Sequence, residues 1–231
     1  MAAFTLQEVE KATGGRLLYP VVDDAVFSQV ETDTRAITAG ALFVALRGET
    51  FDGHDYVLQA EKQGASGAIV AEDRPEYRKG GFAVIIVPDT RKAYQDLARF
   101  HRRRFSIPVI AVTGSVGKTS TRSMIAAVLS QKYRVLQTEK NFNNEIGLPK
   151  TLLQLTPEHE ACVVEMGMRG LGQIAELAAI AEPDIGVVTN VGKSHIELLG
   201  SQENIARAKS ELVQALSADG IAVLNQDDSY V

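Results

Sequence analysis

Val109-Ile-Ala-Val-Thr-Gly-Ser-Val-Gly-Lys-Thr-Ser-Thr121 is the segment from which the architecture of this chain is most readily predicted. Its first five residues, Val109–Thr113, are apolar or β-branched and predict a buried strand. The next residues, up to Thr119, predict a tight loop with two glycines, and the apolar periodicity of Ser120–Leu129 predicts a helix. A strand, a glycine-rich loop and a helix in this order direct backbone N–H groups and a helix N-terminus at one point, which is an arrangement that binds phosphate.

The spacing of this loop departs from the standard phosphate loop, G-x-x-x-x-G-K-[ST]. That pattern requires a glycine at position 112, whereas this chain has Val112 and its first glycine is Gly114. The shortened loop still places Lys118 to reach the β- and γ-phosphates and the Thr119 hydroxyl to bind Mg²⁺. The predicted nucleotide-binding residues are Thr113, Gly114, Ser115, Val116, Gly117, Lys118, Thr119 and Ser120.

Strands and helices alternate regularly beyond this segment. Strands are predicted at 109–113, 134–138, 161–166, 185–190 and 221–225, and helices at 118–131, 146–154, 172–180 and 203–217. Alternation at this spacing predicts parallel βαβ units in a doubly wound α/β sheet. Because such sheets bind ligands at the carboxyl ends of their strands, Thr113, Glu165 and Thr189-Asn190 are the residues to inspect.

The first part of the chain predicts a smaller α/β domain. A capping box, Thr5-Leu-Gln-Glu8, begins a helix that is expected to end near Thr13. Further strands are predicted at 41–46, 68–70 and 82–87, a helix at 56–63 and a long amphipathic helix at 90–105. The Pro88-Asp89 turn is the expected boundary, which gives domains 1–88 and 89–231. The chain stops just after a predicted strand and the Asp227-Asp228 turn, so we expect a fragment.

Composition indicates an ordinary globular protein. The 231 residues are 45% hydrophobic and 23% charged, and a net charge of −5 gives no electrostatic basis for nucleic acid or an anionic membrane as a partner. The N-terminus lacks the basic and apolar regions of a signal peptide, and the apolar runs are too short to span a bilayer. The single cysteine, Cys162, excludes an internal disulfide. We therefore expect a cytoplasmic protein, and a monomer.

Polar residues follow several predicted strands. Glu165 ends a uniformly apolar strand and is placed to hold Mg²⁺ directly or through water, unless it is only a solvated strand end. His195, with Asn190 before it, is either a ligand contact or a surface histidine. The asparagine-rich segment Asn141–Pro149 predicts amide contacts to substrate or phosphate, or a turn and helix cap. Spacing alone gives no special role to Lys209.

Three basic side chains of the first domain could contact a diphosphate or a uracil group. They are Arg35, Arg47 and His54, which surround the predicted strand at 41–46. Composition alone explains them equally well as polar turn residues beside an apolar strand.

Together these motifs resemble the Mur ligases, the ATP-dependent amide-bond-forming enzymes of bacterial cell-wall synthesis. The resemblance extends over essentially the whole chain. It rests on Thr113–Ser120, Asn141–Pro149, Glu165–Gly167, Thr189–His195 and Ile205–Glu211. Asn143-Asn144 and Ser194–Glu197 favour the branch that joins D-alanyl-D-alanine to UDP-N-acetylmuramoyl-tripeptide over the branch that adds the third peptide residue.

The resemblance implies three domains, which bind the UDP-linked substrate, bind ATP, and form a C-terminal Rossmann-like fold that is absent here. It implies two Mg²⁺ sites, with the ligands Thr119, Glu165, His195 and a Lys209 that is carbamylated by CO₂. It implies catalytic roles for Lys118, Lys209, His195, Asn143 and Asn144. It implies that the UDP-linked substrate is bound by Thr34, Arg35, Arg47, Asp52 and His54.

The implied reaction uses ATP to phosphorylate the terminal carboxylate of the UDP-linked tripeptide, and the amine of D-alanyl-D-alanine then attacks the acyl phosphate. A ligase for the third peptide residue and a binding-only fragment without turnover remain as alternatives. A GTPase is disfavoured because the sequence has no Asn-Lys-x-Asp motif. A folylpolyglutamate synthase is disfavoured by the nucleotide-sugar region.

Overall fold

The computed structural model of the chain describes residues 2–19, 25–77, 82–194 and 196–231. The chain divides into two compact units, residues 1–100 and 101–231. The helix Thr90–Arg102 runs across this division. The domain limits expected at residues 88 and 89 stay a prediction.

The first unit contains a mostly parallel five-stranded sheet. Its described elements are, in chain order, β1 Phe4–Thr5, α1 Leu6–Thr13, β2 Arg16–Leu17, β3 Val26–Phe27, β4 Gln29–Glu31, β5 Ala41–Val44, α2 Val57–Lys62, β6 Gly67–Val70, β7 Ala83–Ile86 and α3 Thr90–Arg102. The sheet order is β2-β7-β6-β5-β4, in which only β2 is antiparallel to its neighbour. The carboxyl ends of β4, β5 and β6 therefore lie side by side at one edge.

Local sequence signals account for the start of this unit. The predicted capping box is confirmed, since Glu8 N donates to Thr5 Oγ1 at 3.2 Å and Thr5 N donates to Glu8 Oε2 at 2.9 Å. Helix α1 ends at Gly14, whose φ of 66° is the left-handed conformation that favours glycine. Strands β5 and β6 are buried along their whole length, which fits their continuous apolar sequence.

The second unit is a five-stranded, entirely parallel sheet, as predicted. Its described elements are β8 Val109–Thr113, α4 Lys118–Leu129, β9 Val135–Gln137, α5 Gly147–Leu152, β10 Ala161–Glu165, α6 Gln173–Ala181, β11 Ile185–Val188, α7 Ile196–Leu199, α8 Gln202–Gln214 and β12 Ile221–Leu224. The strand order is β12-β11-β8-β10-β9. Strand β8 is central, so the loop after Thr113 leaves the sheet between the ends of β10 and β11.

Helices cover both faces of this sheet, which confirms the doubly wound α/β class. The α4 side chains Ile125 and Leu129 pack with Ile110 and Val187 on one face. The adjacent Gly186 meets Leu212 of α8 on the other face, because successive strand residues point to opposite sides. Four short strands, β1 to β4, and the four-residue helix α7 were not predicted from the sequence. Within the described ranges, no helix is both long enough and apolar enough to cross a membrane.

Candidate active site

The glycine-rich loop after β8 depends on the backbone freedom of two glycines. Gly114 has a φ of 152°, and a Cβ at this position would lie 1.9 Å from Thr189 Oγ1. Gly117 has a φ of 84° and immediately precedes Lys118, the first residue of α4. Since side chains at either position would be strained, the loop can follow this path only with these glycines.

Unpaired backbone donors meet at the start of α4. The first backbone bond of this helix runs from Thr121 N to Gly117 O at 2.9 Å. Among the residues that the structure describes, the N–H groups of Gly117, Lys118 and Thr119 donate to no acceptor. Free donors at the positive end of a twelve-residue helix suit a phosphate group.

The Lys118 side chain folds back over the loop. Its Nζ donates to Gly114 O at 2.8 Å and lies 3.4 Å from Ser115 O. The ammonium group therefore stands beside the free N–H groups, where it can neutralise the charge of a bound phosphate.

Glu165, at the end of β10, is the acidic centre of the site. The residue is 2% exposed, and its Oε2 accepts a hydrogen bond from Thr119 Oγ1 at 2.8 Å. Its Oε1 accepts from Asn143 Nδ2 at 2.8 Å, and its backbone N donates to Thr138 Oγ1 at 3.0 Å. The structure thus brings together three predicted residues, Thr119, Glu165 and Asn143. Thr138, which sequence reasoning missed, supports them from the end of β9.

The oxygen atoms of Thr119 and Glu165 fit Mg²⁺. Both are hard oxygen ligands, and Mg²⁺ in proteins is commonly bound by one or two side chains with water and phosphate as the other ligands. Within the described residues no group of three or more His, Cys, Asp or Glu side chains is arranged to hold a metal ion, and at this site Glu165 is the carboxylate bonded to Thr119. That is the arrangement expected for an ion that arrives with a nucleotide.

Lys209, on α8, is a buried amine in the same unit. It is 3% exposed, and burial lowers its pKa to about 8, with a further contribution from the positive charge of Lys118. Glu211 holds the same helix in place by accepting hydrogen bonds from Gly172 N at 2.6 Å and Ala175 N at 3.0 Å. His195, the other predicted metal ligand of this region, lies outside the described residues.

Several other predicted residues have internal partners. Thr113 is fully buried, and its Oγ1 donates to Met166 O at 2.9 Å. Asn144 Oδ1 accepts from Gly147 N, at the first residue of α5, at 2.8 Å. Ser115 Oγ accepts from Gly192 N at 2.8 Å. The predicted ligand contacts of these residues stay predictions.

Strand ends in the first unit carry a second polar cluster. His54 is 2% exposed, and its Nε2 accepts from Ala71 N at 2.8 Å, so the ring proton lies on Nδ1, 2.5 Å from Asp52 Oδ1. Burial alone would raise the pKa of Asp52, but hydrogen bonds from His54 and Arg47 outweigh it and lower the pKa to about 2. His54 therefore fixes Asp52 as an ionised acceptor.

Arginines surround this carboxylate. Arg47 Nε donates to Asp52 Oδ2 at 2.9 Å and pairs also with Glu72. Arg74 Nε donates to Glu72 Oε1 at 2.6 Å and its Nη1 donates to Asp55 Oδ1 at 2.7 Å. Sequence reasoning missed Glu72 and Arg74, which follow β6 and reach this cluster only because β5 and β6 are neighbours.

Thr34 and Arg35 lie in a short 3₁₀ turn after β4. Asp33 Oδ1 accepts from Arg35 N at 3.0 Å, and the exposed Arg35 guanidinium pairs with the same carboxylate at 2.6 Å. Because β4 is parallel to β5, this turn lies at the same sheet edge as Arg47. The five predicted substrate-binding residues thus belong to one edge, and their contacts with a substrate stay predictions.

Two family models match the chain. The model "Mur ligase family, catalytic domain" matches residues 26–102, and the model "Mur ligase middle domain" matches residues 112–231. The second match includes the loop, Glu165 and Lys209. It therefore spans every described residue that forms the second-unit site.

Known proteins resemble the chain over nearly its full length. A UDP-N-acetylmuramoyl-tripeptide--D-alanyl-D-alanine ligase from Synechocystis sp. is 52% identical over 90% of this chain and 46% of its own length. MurF from Acinetobacter baumannii superposes with a TM-score of 0.93 at 34% identity, over 99% of this chain and 50% of that chain. The MurF ligase from Thermotoga maritima in complex with ADP has a TM-score of 0.80 at 34% identity, over 86% of this chain and 46% of that chain. The chain spans about half the length of the curated relatives it matches.

Proposed function

The chain belongs to the Mur ligase family, and we propose that it forms the first half of an ATP-dependent ligase that joins D-alanyl-D-alanine to UDP-N-acetylmuramoyl-tripeptide. The observation that carries the proposal is the Thr119–Glu165 contact at the end of a glycine-rich loop, in the unit that matches the middle domain of the family. The names of the similar ligases supply the substrates. The complete enzyme would be a cytoplasmic monomer.

The second unit would bind ATP. The free N–H groups of Gly117, Lys118 and Thr119 would hold the phosphates, and Lys118 would leave its loop carbonyls to stabilise charge on the transferred phosphoryl group. Thr119 and Glu165 would hold one Mg²⁺, which supplies positive charge beside that group. Asn143 would keep Glu165 in place.

The chemistry proposed is formation of an acyl phosphate followed by amide formation. The terminal carboxylate of the tripeptide attacks the γ-phosphorus of ATP, and the bond to ADP breaks. The amine of D-alanyl-D-alanine then attacks the acyl carbon, and phosphate leaves as the amine loses a proton. Asn144 would contact the substrate carboxylate or the γ-phosphate if its hydrogen bond with Gly147 N opens.

Lys209 is proposed to be carbamylated. A pKa of about 8 leaves more of the neutral, CO₂-reactive amine at physiological pH than an exposed lysine has. The reaction releases a proton and replaces a positive charge near Lys118 by a carboxylate, which would remove the repulsion between the two. The new carboxylate and His195 would hold the second Mg²⁺.

The first unit would bind the UDP part of the substrate. Arg47 and Arg35 are exposed cations at the edge formed by the ends of β4 and β5, and arginines there can bind a diphosphate through charge-assisted hydrogen bonds. Thr34 would add a hydroxyl donor. Asp52 and His54 would hold Arg47 and its turn in position rather than donate to the ligand themselves.

The test is phosphate release by the complete enzyme. Release should require ATP, UDP-N-acetylmuramoyl-tripeptide and D-alanyl-D-alanine together, and Lys118→Ala should abolish it without changing the circular dichroism spectrum. Wild-type release from that variant would refute the proposal. Release with UDP-N-acetylmuramoyl-dipeptide and a free diamino acid instead would favour the third-residue ligase.

A second candidate is a fragment that only binds, since the chain spans about half the length of its relatives. Calorimetric titrations of the 231-residue chain with UDP-N-acetylmuramoyl-tripeptide and, separately, with ATP distinguish the two candidates. Tight binding of the first ligand without binding of ATP would favour the binding-only fragment.

A further inference from the structure

The Asn190 side chain forms hydrogen bonds with both backbone polar groups, the N–H and the C=O, of Val116 in the phosphate loop. Its Oδ1 accepts from Val116 N at 3.0 Å and its Nδ2 donates to Val116 O at 2.9 Å. Val116 O also accepts from Thr189 Oγ1 at 2.7 Å, so both of its lone pairs are used. The N–H of Val116 needs an acceptor and its C=O needs a donor. These two contacts therefore fix which side of the Asn190 amide carries the oxygen and which the nitrogen.

The backbone around Asn190 adds to this attachment. Ser115 N donates to Asn190 O at 3.0 Å, while Gly192 N donates to Ser115 Oγ at 2.8 Å. Asn225, after β12, supports the segment from behind by donating from Nδ2 to Thr189 O at 2.9 Å. The end of β11 is therefore joined to the loop at two successive loop residues.

Side-chain packing does little to fix the position of the loop at Val116. That side chain is 67% exposed, so packing does not fix its position. Only two residues separate Gly114 from Gly117, and both glycines are flexible by nature. Without the Asn190 side chain, Val116 N would lose its protein partner and Val116 O would keep only Thr189 Oγ1, so the loop could adopt other conformations.

We infer that Asn190 is a positioning residue that holds the shortened phosphate loop in its phosphate-binding shape before the nucleotide arrives. The oxygen and the nitrogen of its amide each bond to Val116, so it acts through the loop. Preorganisation of this kind raises affinity because less conformational entropy is lost on binding. The inference about nucleotide binding rests on the proposed function, whereas the inference about loop order does not.

Hydrogen exchange of the 231-residue chain tests loop order without any ligand. Asn190→Ala removes both contacts, and Asn190→Asp keeps the acceptor for Val116 N but cannot donate to Val116 O. We expect Val116 N–H to exchange at least tenfold faster in the alanine variant and less so in the aspartate variant, with β8 amides unchanged. The control is Asn204→Asp, since Asn204 Nδ2 likewise donates to a backbone oxygen, Leu199 O, at 2.7 Å.

Unchanged exchange at Val116 in the alanine variant would overturn the inference. Faster exchange throughout β8 and β10 in both variants would also overturn it, because the contacts are confined to the loop. If an Asn190→Leu variant, which keeps the approximate side-chain size but has neither polar group, equals wild type, the amide only fills space and the inference fails.

Kinetics of the complete enzyme test the consequence for nucleotide binding. Asn190→Ala should raise the KM for ATP at least tenfold and leave the KM for UDP-N-acetylmuramoyl-tripeptide within twofold. Equal rises in both KM values, or an unchanged KM for ATP, would contradict a positioning role. A wild-type enzyme that forms no product refutes the proposed function instead, and the exchange result then still decides on loop order.

Discussion

Thr119 Oγ1 donates a 2.8 Å hydrogen bond to Glu165 Oε2, which joins the first turn of α4 to the end of β10. The second carboxylate oxygen accepts from the neutral amide of Asn143. Among the residues that the structure describes, this carboxylate, which is 2% exposed, is bound by two neutral donors and by no cationic side chain that would balance its charge. This imbalance is the physical reason to expect a divalent ion between these two residues and a nucleotide.

Replacing Glu165 by glutamine tests this expectation. Glu165→Gln keeps an acceptor for Thr119 but removes the negative charge, so turnover of the complete enzyme should fall by about a hundredfold or more, as expected when transition-state charge stabilisation is lost. The control is Glu160→Gln, because Glu160 is an exposed glutamate just before the other end of the same strand. A Glu165→Gln enzyme with near-normal turnover at saturating Mg²⁺ would refute the metal-binding role.

Replacing Gly114 by alanine tests the steric argument for the shortened loop. The added Cβ would meet Thr189 Oγ1 at 1.9 Å, and the φ of 152° is unfavourable for alanine, so we expect a loss of roughly 1–3 kcal/mol in stability and weaker ATP binding. Gly170→Ala is the matched control, since a Cβ there meets no atom within 4 Å. Equal unfolding midpoints in urea for the two variants would show that the loop relaxes freely.

The sheet of the second unit could be predicted well from the sequence because its strands are continuous apolar runs. β8 was predicted at 109–113 and lies at Val109–Thr113, and β10 ends within one residue of its prediction. The strands β1 to β4 could not be predicted, since two or three residues are too few to show a period of two. Their pairing is determined by tertiary contacts.

Parts of the candidate site were predictable for a similar reason. Lys118 directly follows Gly117, and Glu165 is the last residue of the apolar strand β10, so the local sequence identifies both. The roles of Thr138, Asn190 and Glu72 depend on which strands are neighbours, and spacing along the chain does not determine strand order. Asn190, at a strand end where ligands are expected to bind, forms hydrogen bonds with Val116 of the loop.

Replacing Arg47 by alanine separates the two proposed binding sites. Arg47 lies in the first unit, where loss of a charge-assisted hydrogen bond to a diphosphate should cost about 1.5–3 kcal/mol, or roughly a tenfold to hundredfold rise in the Kd for UDP-N-acetylmuramoyl-tripeptide. The KM for ATP in the complete enzyme should not change. Arg16→Ala, at an exposed arginine of β2, is the control. Unchanged substrate affinity in Arg47→Ala would place the diphosphate elsewhere.

A buried histidine predicts how stability changes with pH. His101 is 3% exposed, its Nε2 donates to Leu155 O at 2.9 Å, and burial lowers its pKa from 6.5 to about 4, with Arg104 adding to the effect. Between these pH values the unfolded chain binds more protons than the folded chain, so the stabilisation is complete above pH 6.5 and is lost as pH falls towards 4. The loss should reach about 3 kcal/mol. Urea unfolding of wild type and His101→Gln across this range measures it, because the difference in stability between the two proteins should shrink as pH falls. A difference that stays constant would show that His101 is not held neutral in the folded state.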